Sequence, residues 1–302
     1  MRRVPVVLVL LALLSSAALT AQRERTDGPI EFVEIDAVVL DGKGRPLHGL
    51  TRADFSVKDA GKPVEIGTVS EVRGPIPDDP DSARTIVVLL DDSGVASLGT
   101  ETVQIIARAV VASASPVDEV SVVRLHGRDD EPYGDRFTSE ERIRAYRGSA
   151  WPFDYWSVTE AVLARVRDIS RQVAANTARR KVVICIGSSP ICNISQPRGS
   201  TPNSFDVTWR DAVSAAATAN VAYYTIIPGR TGYRLDGLAE ATGGEVFSTG
   251  SNVAVPIDRI LQDGANHYVI GYFGAVSNGD RLRRVEVKTT VKGAKVHARR
   301  LR

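Results

Sequence analysis

Residues 85–97 read TIVVLLDDSGVAS, from Thr85 to Ser97, and their reading decides the fold. The unbroken run Ile86-Val87-Val88-Leu89-Leu90 has no polar face, which suits a strand covered on both sides. Such strands belong to parallel sheets packed between helices, so an α/β fold with a doubly wound, mostly parallel sheet is expected. The carboxylates Asp91 and Asp92 and the hydroxyl of Ser93 then emerge at the carboxyl end of the strand, where open α/β sheets hold ligands.

Downstream the same rhythm repeats. ETVQIIARAVVASA has helical spacing, DEVSVVRLHG reads as a strand, and TSEERIRAYRG as a short helix capped by Thr138 or Ser139. SVTEAVLARVRDISRQVAA carries Val158, Ala161, Val162, Val166 and Ile169 on one face, and RKVVICIG is another buried strand. A small-residue helix, the strand NVAYYTIIPG, a short helix ended by Gly243-Gly244, EVFSTG and the helix VPIDRILQDGAN complete the series. Residues 84–265 form this α/β unit.

The flanks lack helices. Upstream, Val33, Ile35, Ala37 and Val39 alternate as a half-buried strand, followed by short strands in DFSVKD and VEIGTVSEV; residues 28–73 make a β unit. GPIPDDPDSA reads as a linker. Residues 266–302 hold HYVIGYFG, RRVEVKTTVKG and AKVHARRLR. Neither set of strands would be stable alone. Their pairing into one small β-sandwich, with the α/β unit inserted between them, is the simplest expectation.

The chain opens MRRVPVVLVLLALLSSAALTAQ, with arginines before an apolar run and then small residues, the layout of a secretory signal peptide over residues 1–21. A secreted or periplasmic location follows. Loss of Arg2 and Arg3 takes Lys+Arg from 38 to 36 against Asp+Glu 36, so the formal charge of +2 becomes zero. A neutral body has no global field for nucleic acid, and the basic residues near the carboxyl end lack interleaved aromatics for base stacking. They read as guards on exposed edge strands. No second stretch is apolar and long enough to span a membrane after cleavage.

DAVVLDGKGRPLHGLTRADFSVKDAGKPVEI, TIVVLLDDSG, RKVVICIG, ANVAYYTI, LAEATGGEVF, HYVIGYFG and RRVEVKTTVKGAKVHAR occur here in order. That series resembles the secreted von Willebrand factor type A-related proteins of the Acidobacteria type. The resemblance implies an exported type A domain flanked by β structure, usually with no known catalytic activity. It also implies a metal-ion-dependent adhesion site, in which hydroxyls and carboxylates from separate loops hold Mg²⁺ by octahedral oxygen coordination.

Carried over position by position, Asp91 and Ser93 match the first ligands of that site. Val95 stands where the third should offer a hydroxyl, Ser157 lies one place beyond the second-loop position, and Gly187-Ser188-Ser189 replaces the third-loop carboxylate. The resemblance therefore points to a degenerate site at Asp91, Ser93 and Ser157, with Mg²⁺ the ion it would take and no other cofactor. On the residues alone, the favoured reading gives Asp91 and Asp92 a structural task, capping the following loop and binding backbone N–H groups at the strand end.

Other chemistry finds less footing. DDSG lacks the second aspartate of a phosphoryl-transfer Asp-x-Asp, and no Gly-x-Ser-x-Gly elbow occurs. His48, His126, His267 and His297 show no zinc spacing and read as ordinary strand or turn residues. Cys185 and Cys192 in CIGSSPIC leave open both a disulfide and two independent thiols.

The expected function is a non-catalytic binding or scaffold protein with a protein partner in the cell envelope or outside the cell. Trp151, Phe153, Tyr155 and Trp156 gather aromatics beside the crevice as candidate partner contacts, or as a loop packed down on the domain. The alternative is a hydrolase acting through Asp91 or Ser93.

Overall fold

β5 (Thr85–Leu90) is an interior strand of a parallel sheet, every one of its residues buried. The computed structural model describes residues 29–76, 83–127, 130–149, 155–176, 180–187, 204–229, 237–250, 252–276 and 282–302, with side chains from 159 and 207 in the segments beginning at 155 and 204. The signal segment, Trp151, Phe153 and Cys192 lie outside the described residues, as do the side chains of Tyr155, Trp156 and Ser157.

β5 joins β6 (Glu119–Arg124), β7 (Lys181–Ile186), β8 (Val221–Ile227) and β9 (Val246–Ser248) in a parallel sheet of order β6-β5-β7-β8-β9. The order reverses between β5 and β7, which is the switch point where such sheets open a crevice. Six helices among the described residues cover it: α1 (Thr100–Ser113), α2 (Arg136–Ala145), α3 (Tyr155–Val173), α4 (Ser204–Thr218), α5 (Gly237–Thr242) and α6 (Ala254–Ala265).

Side-chain alternation explains the apolar run. Val87 and Leu89 pack with Val162, Val166 and Trp209 of α3 and α4. Ile86, Val88 and Leu90 pack with Val103, Ile106 and Ile260 of α1 and α6. Both faces are buried, so no polar residue is tolerated on either.

The flanking strands meet. β1 (Ile30–Leu40) pairs antiparallel with β10 (Asn266–Ala275) and β12 (Lys295–Ala298), and β4 (Ile66–Arg73) pairs with β10. β2 (Phe55–Asp59) lies between β3 (Lys62–Val64) and β11 (Val285–Thr289). These two antiparallel sheets share a core of Val33, Ile35, Phe55, Val57, Tyr268, Ile270 and Val285. The helix α6 passes directly into β10 between residues 265 and 266.

This β wrapper docks at the amino end of the parallel sheet. Asp36 of β1 accepts from Arg180 Nη1 at 3.1 Å and Asn220 Nδ2 at 3.0 Å, just ahead of β7 and β8. Arg299, just after β12, donates to the Ala217 carbonyl at 2.7 Å. Gly243 has φ 85° and brings α5 so near β12 that a Cβ there would lie 2.7 Å from the Arg299 amide nitrogen.

Three sequence expectations change. β1 is buried on both sides beyond Glu34, because Asp36, Val38 and Leu40 face the α/β layer instead of water. The α2 cap is Asp135, whose Oδ1 accepts from the Thr138 amide at 2.7 Å, not Thr138 or Ser139. The carboxyl-end basic residues are not all edge guards: the Arg302 side chain is 6% exposed and binds Asp59.

Candidate functional site

The carboxyl ends of β5, β6 and β7 form the face that the wrapper leaves uncovered. Asp91 ends β5, and its amide donates to the Ile186 carbonyl of β7 at 3.0 Å. Its carboxylate turns back on the loop: Oδ1 accepts from the Gly94 amide at 2.6 Å, the Ser93 amide at 3.1 Å and the Ser93 hydroxyl at 3.3 Å. A short acidic side chain bonding amides two and three residues on is an Asx-type turn, and it fixes the direction in which the loop leaves the sheet.

The segment after α2 holds the same loop from the other side. The Tyr146 hydroxyl, fully buried, donates to the Asp91 carbonyl at 2.6 Å. The Ser149 amide and hydroxyl donate to the Asp92 carbonyl at 3.2 and 2.7 Å, and the Ser97 hydroxyl donates to the Gly148 carbonyl at 3.1 Å. Burial, with the charges of Asp91 and Asp92, pushes Tyr146 well above the usual phenol range, so it remains a donor. Asp92 points toward β6, its Oδ1 2.8 Å from His126 Nδ1.

Across the switch point stands Gly187. A Cβ there would lie 2.3 Å from Asp91 Cβ and 2.7 Å from its Oδ2, so the two backbones approach too closely for any side chain. Cys185, one turn of the pleat earlier, is a free and fully buried thiol, pushed up to about 12 by burial and then by Asp91.

The fit to Mg²⁺ is short of donors among the described residues. Asp91 and Ser93 are brought together, but Asp91 Oδ1 is engaged in the turn. Val95 is buried with apolar carbons, and Gly187 offers no carboxylate and no space for one. An octahedral oxygen site needs more than this pair supplies. Ser157, the remaining expected ligand, has its side chain outside the described residues.

A groove of about 370 Å³ opens beside the loop, lined by Leu98, Glu101, Gln104, Arg108, Arg144 and Arg147 among others. Leu98 is 97% exposed. Arg108 and Arg144 share the Glu140 carboxylate at 3.0 and 3.1 Å, while Arg147 donates to the carbonyls of Arg144 and Tyr146. Sequence reasoning missed these arginines; the available signal was the basic run of EERIRAYRG leading back toward the DDSG loop.

No protein-family model and no curated protein sequence matches the chain. Solved structures do show likeness. Proximal thread matrix protein 1 from the mussel byssus gives a TM-score of 0.44 at 14% identity over 69% of this chain and 51% of that one. The human COPII-coat protein Sec24c gives 0.38 at 9% identity over 72% of this chain and 43% of that one. The TFIIH p34 N-terminal domain gives 0.34 at 16% identity over 61% of this chain and 99% of that one. The chain thus spans about half the length of the first, 51%, and less of the second, 43%. With TM-scores of 0.44 or less, these likenesses decide nothing about function.

Proposed function

We propose that this is an exported, non-catalytic binding or scaffold protein. A von Willebrand factor type A-like unit, residues 84–265, is inserted into a β-sandwich built from residues 28–73 and 266–302. It presents the loops at the carboxyl end of its sheet to a protein partner in the cell envelope or outside the cell. Export rests on the sequence of residues 1–21. Among the described residues no helix is long and apolar enough to cross a membrane.

The observation that carries the proposal is the contrast between the two ends of the parallel sheet. The wrapper occupies the amino end, while at the carboxyl end a hydrogen-bonded loop displays an exposed Leu98 beside Arg108, Arg144 and Arg147. Arginine is among the residues favoured at interface hot spots, the exposed Leu98 adds apolar area beside the three arginines, and the basic groove suits a partner with acidic side chains. The hydrolase alternative gains nothing from the geometry: Ser93 is buried with its hydroxyl on Asp91, and His126 is on Asp92.

A photo-reactive residue at Leu98 should cross-link the partner from an envelope extract, and the purified pair can then be titrated. Leu98→Asp with Arg147→Glu should weaken binding by about 30-fold, the effect of losing a hot spot of about 2 kcal/mol. Trp151→Ala with Tyr155→Ala should do the same, with unfolding midpoints unchanged. Wild-type affinity in both double variants, or turnover of an ester, phosphate or peptide substrate that Ser93→Ala abolishes, refutes the proposal.

A further inference from the structure

At the opposite end of the sheet, three potential ligands converge from three separate segments. Glu245 precedes β9, Asp263 lies in the last turn of α6, and His297 sits on β12 of the wrapper. One ligand atom from each lies within 4.8 Å of the others. His297 Nδ1 is 3.6 Å from Glu245 Oε2.

Asp263 is the unusual member. Its side chain is 0% exposed, and neither carboxylate oxygen receives a hydrogen bond. Arg259 Nε lies 3.0 Å from Oδ1, yet that nitrogen also lacks a hydrogen-bond acceptor, so the contact is an ion pair by distance and misdirected by angle. A buried carboxylate without directed donors is costly unless something else satisfies its lone pairs. Burial accordingly pushes Asp263 up to about 7, with Arg259 only partly offsetting it and Glu245 adding to the rise. Burial also lowers His297, which favours the neutral imidazole, the form that ligates metals.

We propose that Glu245, Asp263 and His297 bind one divalent transition metal of the Zn²⁺ class, tying the wrapper strand β12 to α6 and the lead-in to β9. One imidazole and two carboxylates suit Zn²⁺ better than Mg²⁺, which favours oxygen ligands alone. Metal–ligand bonds of roughly 2.0–2.2 Å put tetrahedral ligand atoms about 3.3–3.6 Å apart, so ligand atoms that lie within 4.8 Å of one another must close by about 1.5 Å at most. Glu245, whose side chain is 39% exposed, has the freedom to make that movement. The two carboxylates balance the ion's charge, Arg259 stays as an outer partner of Asp263, and water fills the fourth position. This site is independent of the binding face at Asp91.

The test uses the full mature chain without a histidine tag, stripped with chelator and titrated with Co²⁺ by absorption and with Zn²⁺ by calorimetry and thermal unfolding. Stoichiometric binding, the visible bands of low-coordinate Co²⁺ and a raised unfolding midpoint are expected. His297→Gln and the milder Glu245→Gln should each weaken binding by at least about 10-fold, the lower limit seen even for outer-shell changes. Asp91→Ala should bind as the wild type does. Absence of saturable binding, wild-type affinity in both ligand variants, or loss in Asp91→Ala instead, overturns the assignment.

Discussion

Asp36→Ala should be among the most damaging single changes in the chain, because it strips the partner from a buried cation where wrapper and parallel sheet meet. Asp36 is 6% exposed and accepts from Arg180 at 3.1 Å and Asn220 at 3.0 Å, with His267 Nε2 at 3.8 Å. The Arg180 side chain is 7% exposed and its Nε already lacks a hydrogen-bond partner, so removing the carboxylate leaves a buried charge with still fewer partners. The bonds from Arg180 and Asn220 both end on a charged carboxylate, and each such bond contributes about 1.5–3 kcal/mol. Breaking a buried pair costs roughly 3–5 kcal/mol, so the two approaches agree near 3–4 kcal/mol. Against a total stability of about 5–15 kcal/mol, that is a large share.

Urea unfolding followed by circular dichroism should show the midpoint lowered with little change in slope, and the thermal midpoint should fall by roughly 10 °C. Replacing both partners, Asp36→Leu with Arg180→Met, should recover most of the loss, since the cost lies in the orphaned charge and not in the missing pair. A single-variant loss below about 1 kcal/mol, or a double variant no better than the single, refutes the reasoning.

Acid should find the same pair. Burial pushes Asp36 upward, but Arg180, His267, Asn220 and Arg299 together outweigh it and hold the carboxyl below its ordinary 3.8. A depressed folded value means the contribution is present above the unfolded value and lost as pH falls through the folded one. Wild-type stability should therefore fall below about pH 4 more steeply than that of Asp36→Ala, and parallel acid limbs count against the pairing. Tyr146→Phe should cost about 1–3 kcal/mol by leaving the Asp91 carbonyl without its buried donor, and amide exchange at Ser93 and Gly94 should quicken; unchanged exchange means the hydroxyl does not hold the loop. Gly187→Ala should destabilise by about 1–3 kcal/mol, since its Cβ would meet Asp91 Cβ at 2.3 Å, and a neutral result in urea unfolding removes the close approach. Cys185, raised to about 12 by burial, should resist alkylation at pH 8 until denaturant unfolds the chain; rapid native labelling contradicts its burial.

The parallel layer was legible because its signal is local. Six buried residues in TIVVLL and six in KVVICI are adjacent in sequence, and adjacency is what a period can register. Asp91 and Ser93 were legible for the same reason, being the first polar atoms after the run. Asp36 was hidden by its own pattern: an acid alternating with Val33, Ile35 and Ala37 looks solvent-facing, and only a second layer packed on that side makes it internal. Arg302 misled similarly, since its partner Asp59 is 243 positions away and no window spans that. Arg144 and Arg147 share one basic run, but Arg108 joins them only because α1 and α2 lie side by side, a fact of packing that spacing does not record.

The two ends of the parallel sheet are built on opposite principles, and the difference bears on how binding could alter the molecule. At the amino end, Asp36 with Arg180 and Arg299 with Ala217 tie the wrapper to the strand starts through buried polar contacts. Such contacts are directional, and breaking one orphans its partner, so this end tolerates little relative movement. At the carboxyl end, Tyr146 and Ser149 hold the Asp91–Ser97 loop mainly through backbone carbonyls, while Leu98 and the arginines beside it project to solvent. A ligand on that face can exchange side-chain contacts without breaking the interface at the other end. Because β1 pairs with both β10 and β12, the wrapper closes only when chain segments from either side of the α/β layer come together. The carboxyl-end face is thus carried by a layer whose two chain ends are joined by the wrapper on the far side.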